Sequence, residues 1–187
     1  MKTKIGLLLM IVAFSALILG VNSSCSDVKK YAAFDVTYKL PRVDFNYIPS
    51  KLKSGEVLLF SGRNTMNLDS LLMAHDIPTG WIQSATFTEF GISITAPPEA
   101  NFGWLQSLRA IASNDSTMAN SVELGHATVV DTTAKNLLLV LNNLELQPYI
   151  HRNFFYYQLL GTTRGLCPYN LVSMFIAGKL QLHVEPL

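Results

Sequence analysis

The apolar positions of this chain fall into runs of different length and spacing, and each run predicts its own kind of element. The first, Ile5 to Val21, is uncharged and dominated by Leu, Ile, Val and Ala; it follows Lys2 and Lys4 and turns polar at Asn22-Ser23-Ser24. A basic start, an apolar stretch and small residues after it form the pattern of a removable export signal over residues 1–24. The run lies near the ~17-residue lower limit for crossing a bilayer, so an uncleaved anchor is the alternative. Residues 25–51 scatter Tyr31, Phe34, Tyr38, Phe45 and Tyr47 around Pro41 and Pro49 and predict an irregular lead-in packed on the domain. Glu56-Val57-Leu58-Leu59-Phe60, bounded by Gly55 and Gly62, predicts a buried strand. A helical turn or two is expected over Leu68–Ala74. Thr86 to Thr95 is a second strand, closed by Pro97-Pro98 because proline cannot donate to a ladder.

Residues 97–124 read as an excursion from the core, a surface loop or lid in which Trp104 to Ile111 forms a short helix and Ser113-Asn114-Asp115-Ser116 forms a turn. Ala127-Thr128-Val129-Val130 predicts a third strand ending at Asp131, and Tyr149 to Leu160 a further one. Periodicity does not assign Leu137 to Leu146 to helix or strand. The stretch from Cys167-Pro168 to Ala177-Gly178 predicts a helix, with proline at its first position and glycine at its end. Cys167 then caps the helix N-terminus, where partial positive charge favours a thiolate and suits a nucleophile. The plainer alternative is a small buried residue at a helix start.

Composition narrows the classes. The chain has 187 residues, 49% of them hydrophobic and 14% charged, which is a folded composition with one compact domain as the default. Fourteen basic against 13 acidic residues give no footprint for nucleic acid. Loss of residues 1–24 would leave a net charge of about −1. Two cysteines, Cys25 and Cys167, exclude a disulfide scaffold and a four-cysteine zinc site. Cys25 directly follows the small residues, like the first residue of a mature bacterial lipoprotein, although Asn22 stands where that pattern prefers leucine. Lipidation of Cys25 and a Cys25–Cys167 disulfide exclude each other. His75, His151 and His183 show no ligand spacing, so neither a metal nor another cofactor is expected.

The order of these pieces resembles the circularly permuted papain-like proteins, the branch of the NlpC-type cell-wall peptidase superfamily that includes lecithin:retinol acyltransferase relatives. Over residues 52–180, Leu52-Lys53-Ser54-Gly55-Glu56-Val57-Leu58-Leu59-Phe60 looks like that branch's opening phrase and Thr88-Glu89-Phe90-Gly91-Ile92 like its histidine strand. Val129-Val130-Asp131-Thr132-Thr133 looks like the acid strand, and Cys167 with Leu171-Val172 like the nucleophile helix. Two departures stand out. Glu89 occupies the histidine position, and a carboxylate near pKa ~4.3 is a poor base for a thiol near ~8.5. Cys167 also lies four residues before Leu171 where the usual form has three. His126 offers a substitute base, although strand alternation sets residues five apart, His126 and Asp131, on opposite faces.

The resemblance implies an α+β fold, a small antiparallel sheet or partial barrel packed with helices, with the cysteine at the N-terminus of the C-terminal helix and a single domain over residues 52–187. It implies an exported cysteine amidase, peptidase or acyl hydrolase with an altered site built from Cys167, Asp131, Glu89 and His126. The alternative is a non-catalytic envelope protein that binds a ligand or partner. The implied partner is a peptide or acyl-containing small substrate, with membrane contact only through an N-terminal lipid or signal anchor. The expected location is periplasmic, lipid-anchored or secreted.

Overall fold

The computed structural model describes residues 33–49, 55–66, 68–74, 76–150 and 154–185. In chain order the strands are β1 (Phe34–Lys39), β2 (Val43–Tyr47), β3 (Gly55–Thr65), β4 (Ile82–Ala96), β5 (Leu105–Ser113), β6 (Val122–Thr128), β7 (Asn136–Leu138), β8 (Val140–Leu141), β9 (Phe154–Thr163) and β10 (Val172–Val184). The helical elements are short: α1 (Leu68–Ala74), a 3-10 turn (Thr79–Trp81) and α2 (Gln147–Ile150). Residues 1–24, Cys25, His75 and His151 lie outside the described residues, as do the export-signal and lipidation expectations placed on them.

Strand composition explains these elements best at β10. Val172, Met174, Ile176, Leu180, Leu182 and Val184 are buried, and Ser173, Phe175, Lys179, Gln181 and His183 between them face outward. That is a period of two with a β-branched content suited to a pleated surface. β9 repeats it, burying Phe155, Tyr157 and Leu159.

All strand pairings among the described residues are antiparallel and make two sheets, β1/β2-β10-β4-β7 and β3-β9-β5-β6-β8. Their inner faces pack on one another: Phe87 meets Phe155 and Phe90 meets Tyr157, each with ring centroids 6.2 Å apart and nearly edge-on. β1 and β2 lie along successive stretches of β10, so they count as two halves of one strand. Among the eight strands that result, with the short β8 set aside, the order is first-last-third-sixth in one sheet and second-seventh-fourth-fifth in the other. That arrangement is a jelly roll.

The α+β, permuted papain-like expectation is therefore corrected. The helix expected from Cys167 to Gly178 is loop and then β10, whose alternating burial outweighs the proline and glycine that bracket it. The helix expected over Trp104–Ile111 is β5, the centre of the second sheet, so residues 97–124 are no peripheral lid. Register shifts in β5 against β9 and β6 put its buried leucines at Leu105 and Leu108, a spacing of three that imitates a helix. Residues 33–49, expected as irregular, hold β1 and β2.

The two long sides of the sandwich differ. On one, the segment around β7 and β8 bonds to both sheets, the Leu139 amide to the Phe90 carbonyl at 2.9 Å and the Asn142 amide to the Leu124 carbonyl at 3.0 Å. On the other, β3 is paired to β9 alone among the described residues, and the Phe45 and Phe60 rings, 4.8 Å apart, bridge the gap to β2.

Candidate functional site

The jelly-roll path brings four loops to one end: β2–β3, β4–β5, β6–β7 and β9–β10. Backbone and side-chain bonds knit the last three together. The Phe102 amide donates to the Ala134 carbonyl at 2.9 Å, and the Arg164 amide to the Trp104 carbonyl at 2.8 Å. The Arg164 guanidinium reaches the Val129 carbonyl at 2.9 Å. The Tyr169 hydroxyl donates to the Glu99 carbonyl at 3.1 Å, tying the β9–β10 loop to the β4–β5 loop. Loops held by a rigid scaffold in this way are where binding surfaces concentrate.

Between these last two loops lies a hollow of about 440 Å³, walled by Pro97, Pro168, Tyr169 and Leu171, with Glu99 and Asn170 at its polar side. Tyr47 of β2 is paired with Val172 of β10. The next residues beyond that pair, Ile48 and Leu171, leave the ladder together and are 75% and 46% exposed. Leu166 and Val130 add exposed apolar side chains from the same end. Leu171 lines the hollow, and Ile48 stands beside it one position past the Tyr47–Val172 pair, so these two exposed apolar side chains adjoin the hollow together. A second hollow, of about 160 Å³, lies on the outer face of the first sheet, between Phe175, Ala177, Gly91 and Leu138.

The four residues expected to form a catalytic site are distributed over the molecule. Cys167 sits in the β9–β10 loop with no helix behind it. Burial pushes its thiol above the ordinary value, outweighing the opposing Tyr169 backbone amide. Asp131 lies in the β6–β7 loop, where its carboxylate accepts the Thr133 hydroxyl at 2.7 Å and the Thr133 amide at 2.8 Å. Those bonds, the hydroxyl first, hold its carboxyl below the usual value. This is turn chemistry. Glu89 is on the outer face of β4, ion-paired with Lys179 of β10. His126 is on the outer face of β6, 3.1 Å from Glu123. Glu89 and His126 thus occupy the outer faces of opposite sheets, which stack ~10 Å apart, and no hydrogen bond joins Cys167 to Asp131 among the described residues. No group of three metal-ligating residues occurs among the described residues either.

No protein-family model matches the chain, and no curated protein matches it. Three solved structures similar to it are viral. The Desmodium yellow mottle tymovirus structure is 12% identical over 83% of this chain and 84% of that one, with a TM-score of 0.25. The turnip yellow mosaic virus structure is 13% identical over 82% and 96%, with a TM-score of 0.28. The acid-stable capsid of Helicobacter pylori bacteriophage KHP30 is 10% identical over 83% and 95%, with a TM-score of 0.31. At these scores the likeness carries no argument, and the jelly roll stands on the strand order. That strand order overturns the papain-like resemblance. With it go the cysteine hydrolase activity and the envelope binding-protein alternative, both of which rested on a papain-like cleft that a two-sheet sandwich does not contain.

Sequence reasoning did not single out Ile48, Glu99 or Tyr169, and it read Leu171 only as a position of the nucleophile helix. Their grouping depends on which loops meet, and only Pro97 and Pro168, read as a strand end and a helix start, marked the right places.

Proposed function

We propose that this protein is a non-catalytic structural subunit, a jelly-roll block that associates with copies of itself through its apolar loop end. What supports this is the exposed pair Ile48 and Leu171, backed by Pro97, Pro168 and Tyr169 on loops bonded into a fixed shape. Burial of such a pair against a copy removes apolar surface from water at ~25 cal/mol per Å². Light scattering across a concentration series tests the role. The wild-type chain associates, and Ile48→Glu with Leu171→Glu lowers the mass at every concentration while leaving the β circular-dichroism spectrum unchanged. A wild-type chain that stays monomeric throughout sinks the proposal. Lys2, Lys4 and the uncharged run from Ile5 to Val21 support export of this subunit; retention of the full chain in the cytosol on cell fractionation would refute that part.

A further inference from the structure

We infer that the open edge of β3 is a two-fold interface with the β3 edge of a second copy, an inference that rests on the subunit role proposed above. β3 is 11 residues long and hydrogen-bonds to β9 on one side only among the described residues. Its other side carries a row of N–H and C=O groups, a template for another extended strand. The remaining edges of the sandwich do not offer this. The side around β7 and β8 is bonded to both sheets, and the β1/β2 edge is broken between Lys39 and Val43 by Pro41.

The charge pattern selects a second copy as the occupant. A register shift between Leu58 and Phe60 changes the strand's phase, so that the exposed residues are Glu56 and Leu58 before it and Ser61 and Arg63 after it. An antiparallel copy with its two-fold axis between Leu59 and Phe60 sets Glu56 opposite the copy's Arg63 and Leu58 opposite the copy's Ser61. Opposite charges meet at both ends, and Leu58, 50% exposed, is covered at the centre. Both charged side chains stand on the outer face of the sheet and are held within the chain on the β9 side, Glu56 by Arg109 at 2.8 and 3.0 Å and Arg63 over the Phe154 ring at 4.2 Å to the centroid, so pairing with the copy adds a second partner across the edge to each. The result is one sheet continuous across two molecules.

Full-length chain carrying Glu56→Arg and full-length chain carrying Arg63→Glu are measured alone and as an equimolar mixture, by sedimentation and by amide exchange of residues 55–65. Each alone brings like charges together and raises the dissociation concentration at least tenfold over wild type. The mixture restores association, because each chain then meets its complement in the same register. Leu58→Lys, which leaves both charges in place, weakens the dimer independently. If the wild type associates but the single variants match it and the mixture adds nothing, the β3 interface is overturned while the subunit role stands. If β3 amides are equally protected at every dilution, the chain's own residues cover the edge and the inference fails. A monomeric wild type overturns both.

Discussion

The ring of Tyr47 lies flat against that of Trp104, 5.4 Å between centroids and 4° between planes. Tyr47 ends β2 in one sheet and Trp104 immediately precedes β5 in the other, so this stack pins the two sheets together at the loop end. Both rings are nearly fully buried. Tyr47→Ala is expected to cost about 3 kcal/mol in urea denaturation, the loss typical of a large buried aromatic. The same variant should also loosen the loop end, so its association should weaken more than its circular dichroism changes. A cost below about 1 kcal/mol would show that the stack contributes little.

Among the described residues Tyr157 is the largest fully buried side chain, and its hydroxyl has no hydrogen-bond partner there. Burial pushes its phenol well above the ordinary value. An unpaired buried hydroxyl costs ~1–3 kcal/mol of desolvation, and removing it returns part of that. Tyr157→Phe should therefore stabilise the protein by about 1 kcal/mol, with its Phe60, Phe90 and Phe155 ring contacts retained. A loss of stability in chemical denaturation would mean that the hydroxyl has a partner, such as a trapped water.

Alternation along β10 gives a sharp contrast within one strand. Met174→Ala and Leu180→Ala, at buried positions, should each cost ~2–5 kcal/mol. Gln181→Ala, facing outward from the neighbouring position, should stay within ~0.5 kcal/mol. Equal effects at 180 and 181 would contradict the strand.

Cys167 should react with iodoacetamide more slowly than a free thiol at pH 8 in a chain carrying Cys25→Ser, because its raised pKa leaves less thiolate. Cys167→Ser should leave association unchanged. Faster-than-free alkylation would restore the activated nucleophile that the sequence first suggested.

What the sequence disclosed was local, and what it hid was non-local. Glu56 to Phe60, Thr86 to Thr95 and the turn at Ser113–Ser116 were legible because glycine, proline and short polar residues act on their own neighbours. The helical segment Leu68–Ala74 was legible for the same reason. β5 was not, because register shifts break its alternation and only pairing with β9 and β6 reveals a central strand. β10 was misread because Pro168 and Gly178 carried more weight than the six alternating apolar residues Val172, Met174, Ile176, Leu180, Leu182 and Val184. The candidate chemistry fared likewise. Glu89 looked like the residue at the histidine position of a catalytic strand, whereas the pleat turns it outward to Lys179. Ile48 and Leu171 are 123 positions apart in the chain, and no local signal joins them.

The position of β10 has a consequence for how the molecule is made. The last strand lies in the middle of the first sheet, between β1/β2 and β4, so the earliest described strands have no partner in that sheet until Val172 to Val184 have been synthesised. Until that stretch arrives the first sheet stays open, while β3, β9, β5, β6 and β8 already have their partners in the second. Closure then depends on contacts between the two ends of the sequence, a topology that folds in milliseconds to seconds rather than microseconds. The architecture thus sets an order of assembly, in which the second sheet can close before the first and β10 completes the sandwich.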